Sequence, residues 1–342
     1  MTVVASYAPF GTRPCYYAAA GTAYGPTIES VLKQQSAHSR WDLCGVKNYL
    51  DRSPDGWRTC FADIHAVPPE TELVVSGDRC TLRAATPPSP SWTSLPETLE
   101  QAVANLVSDG RRTAVALSGG LDSALLVALL RRIGRDDIPV FTLTSGLPGY
   151  CERSVTECAA AMLGVQQLQV IETNAMEMVS AFPAVIAAAE VPLFNLHPVN
   201  RWLLSRALQR EGYEVLLTGD GADQVFAGSD PRNYLPIIGA LTRAAGLELR
   251  SPFFNEQVMA CAHLATPEKT LLRQTARQWL PKALFDRPKS ATYAPELDVR
   301  EFWNEPAIQE LAAQLHVGPV HPNVNAQATL WTSLGLLANL IN

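Results

Sequence analysis

A short apolar run, TAVAL over residues 113–117, ends in Ser118-Gly119-Gly120-Leu121-Asp122-Ser123, and the chain continues as the long apolar stretch SALLVALLRRIG. A strand that turns through glycines straight into a helix opens a βαβ unit. The alternation recurs as IPVFTLTS, the helical SVTECAAAMLG, LQVIET, the helix-length MVSAFPAVIAAA and NRWLLSRALQREG, and then YEVLLTG. Strands alternating with helices predict an α/β fold with a doubly wound parallel sheet and ligands outside the carboxyl ends of its strands. Leu95–Leu106 shows helical apolar spacing ahead of this series, and from Thr266 onward the text is mostly helical, closing in ATLWTSLGLLANLI.

The stretch AATPPSPSWTSLP, residues 84–96, interrupts all periodicity, because proline-rich text is extended and poor in backbone donors. Before it lie the strand-like runs CYYAAA, CFADIHAV and TELVVS, separated by turn chemistry such as Ser53-Pro54-Asp55-Gly56, with one helix expected over Ile28–Gln35. The pattern predicts a small β-rich N-terminal domain over residues 1–84, a linker over 85–92, and the α/β unit with C-terminal helices over 93–342. A chain of 342 residues can bury a core in each.

Composition narrows the class of partner. With 27 Lys+Arg against 33 Asp+Glu the net charge is −6, and without basic runs the chain is poorly suited to duplex nucleic acid or an anionic membrane. Seven scattered cysteines, none in a Cys-x-x-Cys pair, read as reduced thiols of a cytoplasmic protein. No apolar run reaches the roughly 18 residues a membrane span needs, and the start lacks a signal-peptide pattern. The expected ligand is small.

The turn at residues 118–123 aims backbone N–H groups and the positive end of the following helix at one point, which suits phosphate. Ser118 and Ser123 offer hydroxyls, whereas Asp122 repels a phosphate unless a divalent cation lies between them. A helix-capping turn is the plain alternative for such a segment. The segment LLTGDGADQVFAG, residues 216–228, also follows an apolar strand, and in a parallel sheet it can face the first loop. Asp122 and Asp223 could then share Mg²⁺ on a polyphosphate; the plain alternative here is an acidic surface turn.

At this point the ordered motifs resemble a known family. SGGLDS is similar to the pyrophosphate loop of N-type ATP pyrophosphatases, the adenine nucleotide alpha hydrolase-like proteins. LTGDGADQVFAG resembles the G-E-G-x-D-E-x-F-G-G element of asparagine synthetases and of their β-lactam synthetase and lasso-peptide cyclase relatives. RSPFFN at 250–255, KTLLR at 269–273, Leu280-Pro281, Arg287-Pro288-Lys289 and the ending LWTSLGLL follow in the order of that family. Residues 1–84 resemble the second half of its glutaminase-like domain, with the first half and the N-terminal cysteine nucleophile absent.

The resemblance implies an AMP-forming carbon–nitrogen ligase that uses ATP and Mg²⁺ to adenylate a carboxylate, releases pyrophosphate and joins an amine, without glutamine hydrolysis. Its leading form is an intramolecular lactam synthetase of natural-product (antibiotic) biosynthesis. The substrate is a small molecule or peptide carrying a carboxylate and an amine; a protein that delivers it and a second copy of the chain stay open as partners. By resemblance Asp122 and Asp223 hold the metal, and Ala116, Ser118, Gly119, Gly120, Asp122, Ser123, Thr218 and Gly219 bind the nucleotide. Lys289 is the catalytic lysine.

Departures from the family pattern matter. Asp220 stands where asparagine synthetases have Glu, and it is a candidate base for the amine. Asn255 replaces the usual Asp, which leaves Glu256 as the neighbouring catalytic candidate, and Gln224 replaces a Glu. Asn195, His197 and Asn200, in the stretch EVPLFNLHPVNRW, are candidate substrate contacts. An ammonia-dependent asparagine-synthetase-like enzyme, another adenylating pyrophosphatase and a catalytically weak scaffold subunit are the rival readings.

Overall fold

The computed structural model describes residues 2–5, 9–35, 39–53, 57–68, 71–85, 94–229, 234–262, 266, 268–285, 297–322 and 326–341. Apart from Ala85, the linker lies outside the described residues, as does Lys289. The N-terminal strands are β1 (Thr2–Ala5), β2 (Tyr16–Ala18), β3 (Tyr24–Gly25), β4 (Ile64–Ala66), β5 (Thr71–Ser76) and β6 (Arg79–Ala84), with helices α1 (Ile28–Gln35) and α2 (Leu43–Leu50). They form two antiparallel three-stranded sheets, β1-β5-β6 and β3-β2-β4. Helix α2, which the sequence pattern does not announce, starts where Asp42 accepts from the N–H groups of Cys44 and Gly45.

The rest of the chain continues through α3 (Leu95–Leu106), β7 (Thr113–Ala116), α4 (Leu121–Arg132), β8 (Val140–Thr144), α5 (Arg153–Met162) and β9 (Leu168–Glu172). Helices α6 (Ala175–Ala189) and α7 (His197–Arg210) then lead to β10 (Val215–Leu217), α8 (Ala222–Ala227), α9 (Leu235–Ala244) and β11 (Glu248–Arg250). The described C-terminal helices are α10 (Glu256–Cys261), α11 (Thr270–Ala276), α12 (Glu305–Gln314) and α13 (Ala326–Leu337).

Five strands form a fully parallel sheet in the order β11-β10-β7-β8-β9. The first strand of the series, β7, is central, and the chain builds outward through β8 and β9 before returning to add β10 on its other side. The order therefore reverses between β7 and β10, and a crevice opens beyond the carboxyl ends of those two strands. Strand alternation sorts the helices. Val115, Leu117, Val215 and Leu217 pack with α3 and α4, whereas Ala114, Phe141 and Leu216 pack with Leu204 and Leu208 of α7. Helices α4 and α7 thus approach the crevice from opposite faces of the sheet.

Described residues of the N-terminal region share a core with the rest of the chain. Tyr16, Ile28, Val46 and Phe61 share one buried cluster with Phe182 and Ile186 of α6, Ile237 of α9 and Trp331 of α13. Polar contacts fix the same junction. Gly239 lies so close to the Thr12 carbonyl oxygen that a Cβ would meet it at 2.0 Å, and one turn later Arg243 donates to the carbonyls of Pro14 and Pro26, both at 2.9 Å. Glu190, 4% exposed and at φ 53° after the end of α6, accepts from the N–H groups of Ile28 at 2.5 Å and Glu29 at 2.8 Å. One carboxylate thereby satisfies two of the donors that α1 leaves open at its start.

Burial holds the Glu190 carboxyl above the ordinary glutamate value, against the two N–H groups that favour its ionised form. The folded protein therefore binds this proton more readily than the unfolded chain does. The stability linked to the group is present below the ordinary value and is lost as pH rises through the raised one. Urea unfolding should show the wild type losing stability relative to Glu190→Gln as pH rises above the ordinary glutamate value of 4.5, and a difference that stays constant as pH rises contradicts the assignment. Glu190→Ala should cost about 1–3 kcal/mol, since it strands two buried donors.

Candidate active site

The loop after β7 is shaped by glycine. Gly119 has φ 76°, and a Cβ there would stand 2.7 Å from Val155 Cγ1 and 3.2 Å from the Thr156 backbone, so loop and α5 approach closely only without a side chain. Gly120 caps α4 with no side-chain bond to the first turn, leaving that end of a 12-residue helix suited to an anion. The Ser123 hydroxyl does not reach outward. It accepts from the Ser118 N–H at 3.1 Å, donates to the Gly120 carbonyl at 3.1 Å and lies 3.0 Å from Ser118 Oγ. Its role in this geometry is to hold the turn.

The loop after β10 lies directly against the first. A Cβ on Gly219 would come within 2.8 Å of both the Asp122 carbonyl carbon and the Ser123 nitrogen. Thr218 Oγ1 accepts from the Asp220 N–H at 3.4 Å, and Ser251 Oγ donates to the Asp220 carbonyl at 2.7 Å. These bonds fix the path of the second loop while it touches the helix end that the first loop builds.

Lys269 closes the pair of loops. Its ammonium lies 2.6 Å from Asp122 Oδ2 and 2.8 Å from Asp223 Oδ1, and the residue is only 8% exposed. Burial disfavours this charge, but Asp122 and Asp223 outweigh it and hold the lysine above its ordinary value. The backbone of Lys269 is left-handed, φ 52°, which costs a residue with a Cβ about 1 kcal/mol or more and is held here by two charged contacts.

Two carboxylates that converge on one cation offer the hard oxygen donors Mg²⁺ takes. No cluster of three metal-ligating side chains occurs among the described residues. That donor set fits an ion whose other ligands are phosphate oxygens and water rather than an all-protein cage.

Beyond the loops a cavity of about 430 Å³ extends across the sheet edge to α7. Ala116, Ser118, Asp122, Ser123, Thr218, Gly219, Asp220 and Asp223 line it on the loop side, and His197, Asn200, Arg201 and Tyr150 on the α7 side. Asp220 accepts from Arg201 Nη2 at 2.7 Å, in an ion pair whose side chains are 15% and 10% exposed. Burial works against the Arg201 charge, and Asp220 with the Tyr234 hydroxyl outweighs it. The Tyr150 hydroxyl lies 2.8 Å from His197 Nδ1 and accepts from Asn200 Nδ2 at 3.0 Å. Burial pushes the Tyr150 phenol well above its ordinary value, so it serves as a neutral hydrogen-bonding group.

The structure thus brings together most of the residues singled out in the sequence. Gly119 and Gly120 shape the first loop rather than line the cavity. Asn195 is exposed, and its Oδ1 accepts from the His197 N–H, which places it at the start of α7 and outside the cavity. Glu256 is exposed in the first turn of α10 and does not reach the cavity, because Asn255 starts that helix by accepting from Gln257 and Val258 and turns it away. Lys289 lies outside the described residues.

Three site residues escaped the sequence reading as such: Lys269, Arg201 and Tyr150. Signals for two of them existed. Lys269 opens KTLLR, and Arg201 stands four residues after His197 and one after Asn200, on the helix face those residues share.

The family model for asparagine synthase matches residues 94–240 and 237–317. Among curated proteins, the amidase chyE of Penicillium rubens is 26% identical over 131 residues, covering 34% of this chain and 19% of that protein. The glutamine-hydrolysing asparagine synthetase of Gallus gallus is 27% identical over 245 residues, covering 60% and 43%. The chain spans less than half the length of these relatives.

Among solved structures, the NH3-dependent NAD synthetase of Campylobacter jejuni aligns with TM-score 0.38 and 13% identity over 72% of this chain and 92% of that one. The NMN synthetase of Francisella tularensis aligns with TM-score 0.34 and 16% identity over 71% and 93%. The matched segments carry both glycine loops, α7 and Lys269, and the chain belongs to the asparagine synthase family.

Proposed function

We propose that the chain is an ATP-dependent carbon–nitrogen ligase that activates a carboxylate as its adenylate, releases pyrophosphate and transfers the acyl group to an amine. The observation that carries this reading is the convergence of Asp122 and Asp223 on one cation, at the point where two glycine loops meet the start of α4. The N–H groups of that helix start and the Lys269 ammonium are fixed before the reaction, so they can take up the negative charge of departing pyrophosphate without reorganising. Asp122 and Asp223 would hold Mg²⁺, which supplies charge neutralisation on the phosphates. Lys289, at the family's catalytic lysine position, would serve the charge that develops at the acyl carbon.

That the relatives of this chain are amidases and asparagine synthetases supports amide chemistry in such a site. In this reading the carboxylate and the amine belong to one small-molecule or peptide substrate, glutamine is not the donor, and the product is a lactam of specialised metabolism. Such a product is lighter than its substrate by one water, whereas free ammonia exchanges OH for NH2 and leaves the mass almost unchanged, and a larger separate amine makes the product heavier. Mass spectrometry separates these outcomes, and glutamate released from added glutamine would contradict the reading of the donor.

Substrate-dependent turnover should give AMP and pyrophosphate; ADP and orthophosphate would overturn the proposal. Lys269→Ala should lower the rate of pyrophosphate release by about 10²-fold or more, the usual scale for removing one preorganised electrostatic contact, and a rate within threefold of wild type would remove Lys269 from the chemistry. Gly219→Ala sets a methyl against the Asp122–Ser123 backbone. It should weaken ATP binding about 10-fold or more and lower the melting temperature, because the methyl meets backbone rather than a flexible side chain, and unaltered ATP affinity would show that loop contact does not shape the site.

A further inference from the structure

The second glycine loop is backed by a pair of aromatic rings, one of which comes from the N-terminal region. Gly221 lines the cavity and opens α8, the helix that carries Asp223. A Cβ on Gly221 would stand 2.8 Å from Phe254 Cε1 and 3.1 Å from Cδ1, so the Phe254 ring lies in contact with the loop backbone. Phe254 in turn meets Phe10 edge to face, with ring centroids 6.2 Å apart and planes at 61°. Phe10 does not line the cavity, yet it packs against the core built from α4, α8 and Phe253. Its backbone is left-handed, φ 57° and ψ 19°, a conformation that disfavours any residue with a Cβ. Contacts on three sides hold it there: Phe254 takes the ring, Gly11 admits Trp57 so closely that a Cβ would meet Cζ3 at 2.8 Å, and the Thr12 carbonyl packs on Gly239. Such strain persists only where the surroundings fix it, and it gathers where a geometry matters to function.

We infer that Phe10 is a positioning residue for the phosphate site: through Phe254 it sets where Gly221 and the start of α8 lie, and so where Asp223 meets Asp122 and Lys269. The inference rests on the reading of these loops as a site for magnesium pyrophosphate. A loop with glycine at 219, 221 and 228 has little side-chain packing of its own, so its path depends on what it lies against. The segment 251–254 supplies two such contacts, the Ser251 hydroxyl on the Asp220 carbonyl at 2.7 Å and the Phe254 ring on Gly221. Phe10 braces the second of them. The N-terminal region thereby reaches the phosphate site without contributing a group to it. A ring that only filled core space would affect stability and leave ligand affinity alone.

The test is calorimetric titration of pyrophosphate with Mg²⁺ into the whole protein, paired with the melting temperature of each variant. Phe10→Ala and Phe10→Gly remove the same ring, but only glycine suits φ 57°, so the glycine variant should melt higher. Both should bind pyrophosphate about 10-fold more weakly than wild type, less than the roughly 10²-fold that a 1 Å misplacement costs in a reacting geometry. Phe10→Leu keeps bulk without the ring edge and should lose part of the affinity, which keeps the inference testable if the smaller substitutions do not fold. On a Phe254→Leu background, Phe10→Gly should weaken binding by no more than about twofold further, because the two rings act through one contact. Arg243→Met removes the donor to the Pro14 and Pro26 carbonyls at the same junction; it should lower the melting temperature and leave affinity within about twofold. The inference falls if wild type binds and the Phe10 variants match it, if affinity follows the melting temperature across all these variants, or if the losses at Phe10 and Phe254 multiply. No saturable binding by wild type overturns the reading of the site itself, and the positioning role with it.

Discussion

The ammonium of Lys269 is the contact on which the site depends. Asp122 belongs to the first turn of α4 and Asp223 to the first turn of α8, and two carboxylates so placed repel each other across a partly buried gap. Lys269 lies 2.6 and 2.8 Å from them and offsets that repulsion, so two loops far apart in sequence hold one geometry. Its left-handed backbone, φ 52°, runs against local preference, so tertiary contacts hold the residue in place. The same charge balance prepares the site for its ligand: two acids and one lysine leave a net negative charge that a divalent cation with its phosphates can complete.

The remainder of the fold serves to bring these groups to one edge. The reversal of strand order between β7 and β10 opens the crevice, and strand alternation sends α4 and α7 to opposite faces, so phosphate and substrate ends are separated by construction. The N-terminal region packs against the helices around the site. Glu190 binds the start of α1 at the end of α6, and the chain runs from there through residues 191–196 into α7, which carries His197, Asn200 and Arg201. The segment that leads to the substrate side of the cavity is thus anchored by a different part of the molecule.

Much of this was legible in the sequence, for reasons that differ by element. Helices α1 and α3 have the expected limits because their apolar spacing is regular and their ends are marked, α3 by Pro96 in its first turn. Strand β11 was not legible. Its Glu248 and Arg250 look like surface text, yet they form ion pairs with Arg111 and Asp109 at the edge of the sheet. Helix α9 was hidden by Gly239, a poor helix former present because the Thr12 carbonyl packs there. In the site, the glycine loops were legible because turn chemistry is local. Lys269 and Arg201 each fall within a stretch singled out in the sequence, but neither reads there as a site residue. Their meaning lies in partners 147 and 19 residues away.

The account stands on one claim, that the Asp122–Lys269–Asp223 arrangement and the start of α4 form a pocket for magnesium pyrophosphate. Calorimetric titration of pyrophosphate into the protein, with Mg²⁺ and then with the metal removed by EDTA, tests it without knowledge of the substrate. The account predicts saturable binding that needs Mg²⁺, because Asp122 and Asp223 repel the bare anion. Binding of equal strength without the metal, or none in its presence, would contradict it.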